Sequence, residues 1–154
     1  MILYHGSNLL VTEPEIRKTK YTKDFGWGFY TTEIRRQAEQ WAIRRAQNFG
    51  GVPTVSSFIY EENPELSIRI FQSPDEEWLD FIAFCRGGNV HSYDIVKGPM
   101  ADDVIWDYVR DYLDGNISKA AFMELAKFRK PTQQTTFHTQ RALATLTYLD
   151  GVTL

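Results

Sequence analysis

DFGWGFYTT, residues 24–32, is the stretch that decides the fold, because the periodicity of the chain changes immediately after it. Its two glycines predict a tight turn, and the aromatic and β-branched residues at 29–32 predict a short strand. Beyond this strand the apolar residues recur at the spacing of one helix face, at Ile34, Ala38, Trp41, Ala42, Ala46 and Phe49. The glycine pair at 50–51 ends the helix. The central unit is therefore a strand that leads directly into a helix.

The elements on either side of this unit do not follow a regular βαβ alternation. In chain order we predict strands at 2–4, 54–60 and 66–71, a helix capped by Ser73 that ends near Arg86, a strand at 90–96 ended by Gly98 and Pro99, helices at 102–114 and 118–129, a strand at 134–138 and a helix at 139–149. This order indicates the α+β class rather than a doubly wound parallel sheet. We expect a single domain that covers residues 1–154.

The composition is that of an ordinary globular chain. Of the 154 residues, 43% are hydrophobic and 24% charged, which excludes intrinsic disorder. No apolar run is long enough to span a bilayer, and the N-terminus lacks a secretory signal pattern. Cys85 is the one cysteine and the three histidines are far apart, so we expect no disulfide, no metal site and a reducing, cytoplasmic setting. The net charge of −3 argues against a surface that binds duplex nucleic acid by phosphate neutralisation alone, and leaves a local basic patch open.

Three segments carry groups suited to ligand chemistry. His5-Gly6-Ser7 ends the first strand, so an imidazole and a free backbone amide can face one small ligand. The glycines of residues 24–32 let the backbone approach a flat ligand, and the aromatic side chains there offer stacking. Gln134 places an amide on a late strand. Each segment also fits a structural role: a turn with a satisfied histidine, an aromatic hairpin in the core, and a solvent-facing strand residue.

Taken in order, these segments resemble the ADP-ribosyltransferases of the histidine–tyrosine–glutamate class, which includes diphtheria toxin and the catalytic domain of poly(ADP-ribose) polymerase. That class has a strand ending in His-Gly-Ser or His-Gly-Thr, matched here by residues 5–7. A Gly-x-Tyr strand then enters a helix with a second aromatic residue eleven positions after the tyrosine, and Gly28, Tyr30 and Trp41 have this spacing. The third motif is a glutamate on a late strand, which Gln134 replaces with an amide.

The wider pattern is similar to a bacterial family of ADP-ribosyltransferase-like domains that are often encoded beside small partner proteins in toxin–antitoxin arrangements. The stretches that carry this similarity are QAEQWA at 37–42, YDIVKGPMADD at 93–103 and QTTFHTQRAL at 134–143. The resemblance covers most of the chain. It implies a split, strongly bent antiparallel sheet that holds NAD in its cleft, with helices around it.

The resemblance also implies roles for single residues. His5 is expected to bind the adenosine ribose of NAD, and the Gly6 backbone to hold the nicotinamide amide. Tyr30 and Trp41 are expected to flank the nicotinamide ring. The other residues expected to contact NAD are Ser7, Phe25, Gly28 and Phe29.

The implied reaction breaks the nicotinamide–ribose bond through an oxocarbenium-like centre, as in glycoside hydrolysis. Gln134 can hydrogen-bond the ribose hydroxyl but cannot act as a base. We therefore expect mono-ADP-ribosyl transfer rather than chain elongation, assisted by the acceptor or by an acid such as Asp102 or Asp103. The acceptor is left open among protein, nucleic acid and small molecule. NAD hydrolysis is an alternative, and so is a non-catalytic module that binds NAD, ADP-ribose or a partner protein.

Two further groups of residues lie outside these motifs. Lys18, Lys20 and Lys23 are candidates for contact with the NAD pyrophosphate or the acceptor, whereas the helix arginines Arg35, Arg36, Arg44 and Arg45 are interpreted as a solvated face. The predicted helices between residues 102 and 130 carry Trp106, Tyr108, Tyr112, Phe122, Met123 and Phe128. We predict that part of this region docks a small antitoxin protein encoded nearby, with additional core packing as the alternative.

Overall fold

The computed structural model describes residues 1–19 and 23–154, and within them seven strands and five helices form a mixed arrangement that confirms the α+β class. The elements are β1 (Ile2–Ser7), β2 (Phe29–Thr31), α1 (Arg35–Phe49), β3 (Thr54–Tyr60), β4 (Ile68–Ile70), α2 (Glu76–Arg86), β5 (Ile95–Pro99), α3 (Asp103–Leu113), α4 (Lys119–Ala126), β6 (Gln133–Phe137), α5 (Gln140–Leu143) and β7 (Leu146–Thr153).

The strands form two sheets that meet at one edge. One sheet has the order β1-β3-β7 and is antiparallel. The other has the order β2-β6-β5-β4, in which β4 and β5 are parallel rather than antiparallel as expected. Tyr4 and Thr32 exchange two backbone hydrogen bonds, 2.8 and 3.0 Å long, and so join β1 to the end of β2. The two sheets therefore separate on one side of this bridge.

Alternation of side chains along the strands divides the apolar residues among three packed regions. Leu3 and Phe58 of the first sheet meet Phe29, Ile95 and Phe137 of the second in a core between the sheets. On the opposite face of the first sheet, α1 packs on Val55 through two alanines. On the opposite face of the second sheet, α2, α3 and α4 pack over a core that includes Trp78, Val96, Ile105 and Phe122.

Two predicted element boundaries are wrong. The predicted strand at 90–96 is displaced, since β5 begins at Ile95 and continues through Gly98 and Pro99. A Cβ atom on Gly98 would lie 3.1 Å from the Phe71 side chain, so this glycine permits close packing and does not mark a turn. The cap of α2 is Asp75 rather than Ser73, because the Asp75 carboxylate accepts a 2.9 Å hydrogen bond from the Trp78 amide.

The predicted helix at 139–149 is wrong over most of its length. Helical structure is confined to Gln140–Leu143, and the Thr145 hydroxyl donates to the Ala142 carbonyl at its end. Residues 146–153 form β7 along β3. The apolar face of α1 is also narrower than predicted, because Phe49 is 69% exposed.

The aromatic surface predicted for residues 102–130 is mostly core. Phe122 is fully buried, and the side chains packed against the same core include Trp106, Tyr108, Tyr112 and Met123. Phe128, in contrast, is 83% exposed. The structure thus favours additional core packing for this region. Among the described residues, no helix has both the length and the apolar character needed to cross a membrane.

Candidate functional site

A cleft opens where β1 and β2 separate beyond the Tyr4–Thr32 bridge. The His5 Nδ1 atom lies 2.7 Å from the Tyr30 carbonyl oxygen. Because a carbonyl can only accept, Nδ1 is the protonated nitrogen and donates this bond. A side-chain hydrogen bond thus connects the strands where their backbones have parted. In an antiparallel strand every second residue directs its backbone groups to the same edge, so the N–H and C=O of Gly6, like those of Tyr4, face β2 across the gap.

Gly6 also sets the distance between β1 and α1. A Cβ atom at this position would lie 1.9 Å from the Ala38 carbonyl oxygen and 2.9 Å from the Ala42 nitrogen. Glycine is therefore the residue that lets the helix backbone lie directly on the strand. This contact brings one side of α1, with Trp41, Arg44 and Arg45, to the wall of the cleft.

The cleft has two lobes, with cavity volumes of about 190 Å³ for the outer lobe and about 360 Å³ for the inner lobe. The outer lobe is lined by residues that include Ser7, Glu13, Arg17, Trp27, Gly28 and Phe29. The inner lobe is lined by residues that include Asp24, Trp41, Arg44, Arg86, Met100 and Gln134. Five residues line both lobes and form what we call the waist: His5, Gly6, Lys23, Tyr30 and Arg45. The inner lobe lies within the size range of small-molecule sites, and the outer lobe is smaller.

His5 is held as a neutral imidazole at the waist. Its ring stacks on Phe29 with centroids 4.3 Å apart, and burial lowers the pKa of His5 to about 4. With the proton on Nδ1 committed to the Tyr30 carbonyl, Nε2 retains a lone pair. His5 can therefore accept a hydrogen bond from a ligand hydroxyl.

Tyr30 presents its ring rather than its hydroxyl group to the cleft. The hydroxyl donates to the Gly26 carbonyl at 2.6 Å and accepts from the Phe25 amide at 3.0 Å. Burial raises the pKa of Tyr30, so the hydroxyl stays protonated. The Lys23 ammonium lies 4.8 Å from the centre of the Tyr30 ring. Tyr30 thus shapes the glycine-rich turn and contributes an aromatic surface next to a cation.

Most of the sequence-predicted site residues line the cleft. His5, Gly6, Tyr30, Trp41 and Gln134 line the inner lobe. Three more, Ser7, Gly28 and Phe29, line the outer lobe.

Phe25, which was expected to contact NAD, lies in the core. It is fully buried, and its ring packs on Phe71 and Phe81. Its contribution to the cleft is through the backbone amide that bonds Tyr30.

The other polar candidates have different placements. Asp102 caps α3, and Asp103 is an exposed residue 3.4 Å from Arg44; neither lines the cleft. Lys23 lies at the waist, whereas the Lys18 ammonium lies over the Trp27 ring at 5.9 Å. Lys20 falls outside the described residues.

The acid that lines the inner lobe is Asp24, which sequence reasoning did not single out. It is 7% exposed, and its carboxylate contacts Arg86 at 2.7 Å, the Ala101 amide at 3.1 Å and the Gln134 amide at 3.5 Å. In the sequence, a charged residue directly before the apolar turn is the one sign that Asp24 could be buried. Its partners are 62, 77 and 110 residues away in the chain, so only the fold identifies them.

The arginines of α1 do not all form a solvated face. Arg44 lines the inner lobe and Arg45 lines both lobes, which corrects the interpretation from sequence for these two. Residues three and four positions apart share a helix face, so the spacing from Trp41 could have indicated this placement. Arg35, by contrast, pairs with Glu39 at 3.1 Å on the exposed side of the helix.

Gly28 has a structural reason to be glycine. A Cβ atom there would lie 2.7 Å from His138 Nδ1, which donates a 2.8 Å hydrogen bond to the Trp27 carbonyl. His138 thereby fixes the wall of the outer lobe from behind.

Comparison with known proteins gives one family. Residues 1–148 match the family model described as "Protein of unknown function (DUF3990)". The matched range contains every residue named above as lining the cleft. No curated protein and no solved structure matches the chain.

Proposed function

We propose that this chain, which belongs to the DUF3990 family, binds NAD in the cleft and transfers a single ADP-ribosyl group to an acceptor. The observation that carries the proposal is the meeting of three distant motifs in one cleft. His5, Tyr30 and Gln134 come from β1, β2 and β6, and all three line the inner lobe. The ADP-ribosyltransferase type of fold, with its split sheet, is part of this proposal.

The shape of the cleft supports a dinucleotide as ligand. NAD consists of two ring-bearing nucleosides joined by an anionic diphosphate, and the cleft consists of two lobes joined at a waist. Lys23 and Arg45 line the waist, where they can bind the diphosphate. In this arrangement the rings of Trp41 and Tyr30 pack against the nicotinamide in the inner lobe, and the ring of Trp27 packs against the adenosine in the outer lobe.

The charge of the inner lobe supports the same ligand. The chain carries a net charge of −3, yet the described lining of the inner lobe places Lys23, Arg44, Arg45 and Arg86 around the carboxylate of Asp24. A cationic inner lobe in an acidic protein attracts anionic ligands.

In the proposed reaction the backbone N–H and C=O of Gly6 bind the nicotinamide carboxamide, and Gln134 accepts a hydrogen bond from the ribose hydroxyl. The electron pair of the glycosidic bond leaves with nicotinamide. A lone pair of the acceptor then forms the new bond at the ribose carbon, and the acceptor proton passes to solvent. Gln134 has no charge and takes no proton, which favours one transfer over chain elongation.

The biological setting is also part of the proposal. Unrestrained consumption of NAD would harm the cell that makes this protein, which fits the role of a toxin restrained by a small antitoxin. Co-expression with the neighbouring gene should restore growth if this is so, and unrestrained growth with the lone chain would contradict it.

Incubation of the purified protein with adenylate-labelled NAD and a cell lysate tests the activity. We expect label on an acceptor together with free nicotinamide. Free ADP-ribose alone would indicate hydrolysis instead, and intact NAD that remains bound would indicate a binding module.

Substitutions on one helix test the site directly. We expect Trp41→Ala to weaken NAD binding by about 1–2 kcal/mol, because an aromatic surface is lost. We expect Arg45→Met to weaken it by about 1.5–3 kcal/mol, because a hydrogen bond to a charged group is lost.

Arg36→Met is the matched control for both, since Arg36 is exposed on the same helix and does not line the cleft. Titration calorimetry with NAD measures all three variants. Equal affinity of all three with the parent protein would place the NAD site elsewhere.

A further inference from the structure

The buried carboxylate of Asp24 contacts the side-chain amide of Gln134, which occupies the position of the glutamate in the ADP-ribosyltransferases that this chain resembles. Asp24 Oδ2 lies 3.5 Å from Gln134 Nε2, and both side chains line the inner lobe. Asp24 is 7% exposed and Gln134 is 3% exposed. Neither position is explained by the proposed contacts with NAD alone.

The contact fixes which end of the Gln134 amide faces which neighbour. A carboxylate only accepts hydrogen bonds, so the Gln134 nitrogen must point toward Asp24. The Gln134 oxygen is then held on the other arm of the amide. Reversal of the amide would place two oxygen acceptors 3.5 Å apart, which is unfavourable in a buried site.

Asp24 is itself held in place by two further groups. The Arg86 Nη2 atom donates to Asp24 Oδ1 at 2.7 Å, and the Ala101 amide donates to Oδ2 at 3.1 Å. The Arg86 guanidinium lies over the Trp106 ring, 4.1 Å from its centre. Because Arg86 balances its charge, Asp24 acts as a fixed hydrogen-bond acceptor rather than as a free base.

We infer that Asp24 is a positioning residue, which orients the Gln134 amide so that its oxygen accepts the hydrogen bond from the ribose hydroxyl. This inference rests on the proposed function for the identity of the ligand. The contact between the Asp24 and Gln134 side chains depends on the protein alone, so it is tested without NAD.

The first test compares Gln134→Glu with the double variant Asp24→Asn/Gln134→Glu. In the single variant two carboxyl groups face each other, so we expect one of them to titrate above about pH 5. In the double variant the glutamate faces an amide instead of a second carboxyl group, so we expect this raised titration to disappear. Carbon-13 NMR of the Asp and Glu carboxyl groups measures both. Identical titrations of the introduced glutamate in the two proteins would show that the side chains do not interact and would overturn the inference.

The second test measures turnover. We expect Asp24→Asn to lower kcat about tenfold or more while the dissociation constant of NAD changes by less than about threefold, because an oriented acceptor matters most in the transition state. The double variant exchanges acid and amide, and we expect it to recover most of the lost kcat. A merely structural role of Asp24 would make Asp24→Asn lower kcat by the same factor whether position 134 carries glutamine or glutamate.

Asp107→Asn is the matched control, since Asp107 also pairs with an arginine, Arg110, but lies exposed on α3 away from the cleft. Its kcat should equal that of the parent protein. If the parent consumes no NAD, the proposed function fails, and the carboxyl titration still decides whether the side chains at positions 24 and 134 interact. A double variant no faster than Asp24→Asn would contradict the positioning role.

Discussion

All three histidines donate a hydrogen bond to a backbone carbonyl of the glycine-rich turn and its strand. His5 donates to Tyr30, His138 to Trp27, and the Nε2 atom of His91 to Phe25. Burial lowers the pKa of each, to about 4 for His5 and His138. At the scale of the residue, the three histidines, of which sequence reasoning assigned only His5 to ligand binding, thus hold one turn and its strand through neutral side chains.

These neutral histidines predict a loss of stability in mild acid. The unfolded chain takes up protons near pH 6.5, the ordinary pKa of histidine, whereas the folded state resists protonation until about pH 4. The stabilisation is complete above pH 6.5 and is lost as the pH falls from 6.5 toward 4, by about 1.4 kcal/mol per pH unit for each histidine.

Thermal unfolding between about pH 7.5 and pH 5 measures this dependence. His5→Asn, whose amide can still donate to the Tyr30 carbonyl, should lower the slope by about one proton. A midpoint that stays constant across the lower half of this range would contradict the prediction.

At the scale of the element, agreement between sequence and structure depends on whether the deciding interaction is local. The end of α1 was predicted because Gly50, with φ of 77°, ends a helix by its own backbone. β7 was missed because its state depends on pairing with β3, far away in the chain. The motif residues could be predicted because each motif is a short local pattern. The burial of Asp24 could not, because its partners are 62, 77 and 110 residues away in the chain.

The contact between α1 and β1 predicts a severe effect of Gly6→Ala. The added methyl group would meet the Ala38 backbone at 1.9 Å, so the helix must move away from the strand. We expect a loss of about 2–3 kcal/mol in the free energy of unfolding, at the upper end of the range for overpacking.

Gly115→Ala is the comparison, because Gly115 has φ of 77° but open space around its missing side chain. It should cost about 1 kcal/mol through backbone strain alone. Urea denaturation measures both variants, and equal losses would mean that α1 does not lie on β1 as described.

At the scale of the whole molecule, one buried carboxylate ties separate parts of the second sheet together. Asp94 accepts hydrogen bonds from the Ser67 amide at 2.9 Å, the Thr139 hydroxyl at 2.6 Å and the Arg141 guanidinium at 2.6 and 2.9 Å. These partners precede β4 and flank the start of α5. The Arg141 hydrogen bonds, the largest cause, together with those from Thr139 and Ser67, hold the pKa of Asp94 well below its usual range.

Asp94→Asn should therefore destabilise the whole fold. We expect a loss of about 2 kcal/mol or more at neutral pH, because charge-assisted hydrogen bonds become neutral or are broken. The contribution of Asp94 is present above the ordinary aspartate pKa of 3.8 and is lost as the pH falls below it, so parent and variant should converge in strong acid. Denaturation at about pH 7 and about pH 3 measures the difference, and a constant difference at both would contradict this account.

The burial of Cys85 in α2 has a practical consequence for labelling chemistry. Its side chain is fully buried, and burial raises the pKa of the thiol to about 12, so almost no reactive thiolate exists at neutral pH. Two introduced cysteines, one at the rim of each lobe, would therefore react with maleimide dyes or spin labels while Cys85 stays unmodified. Distances across the cleft become measurable in the otherwise native chain.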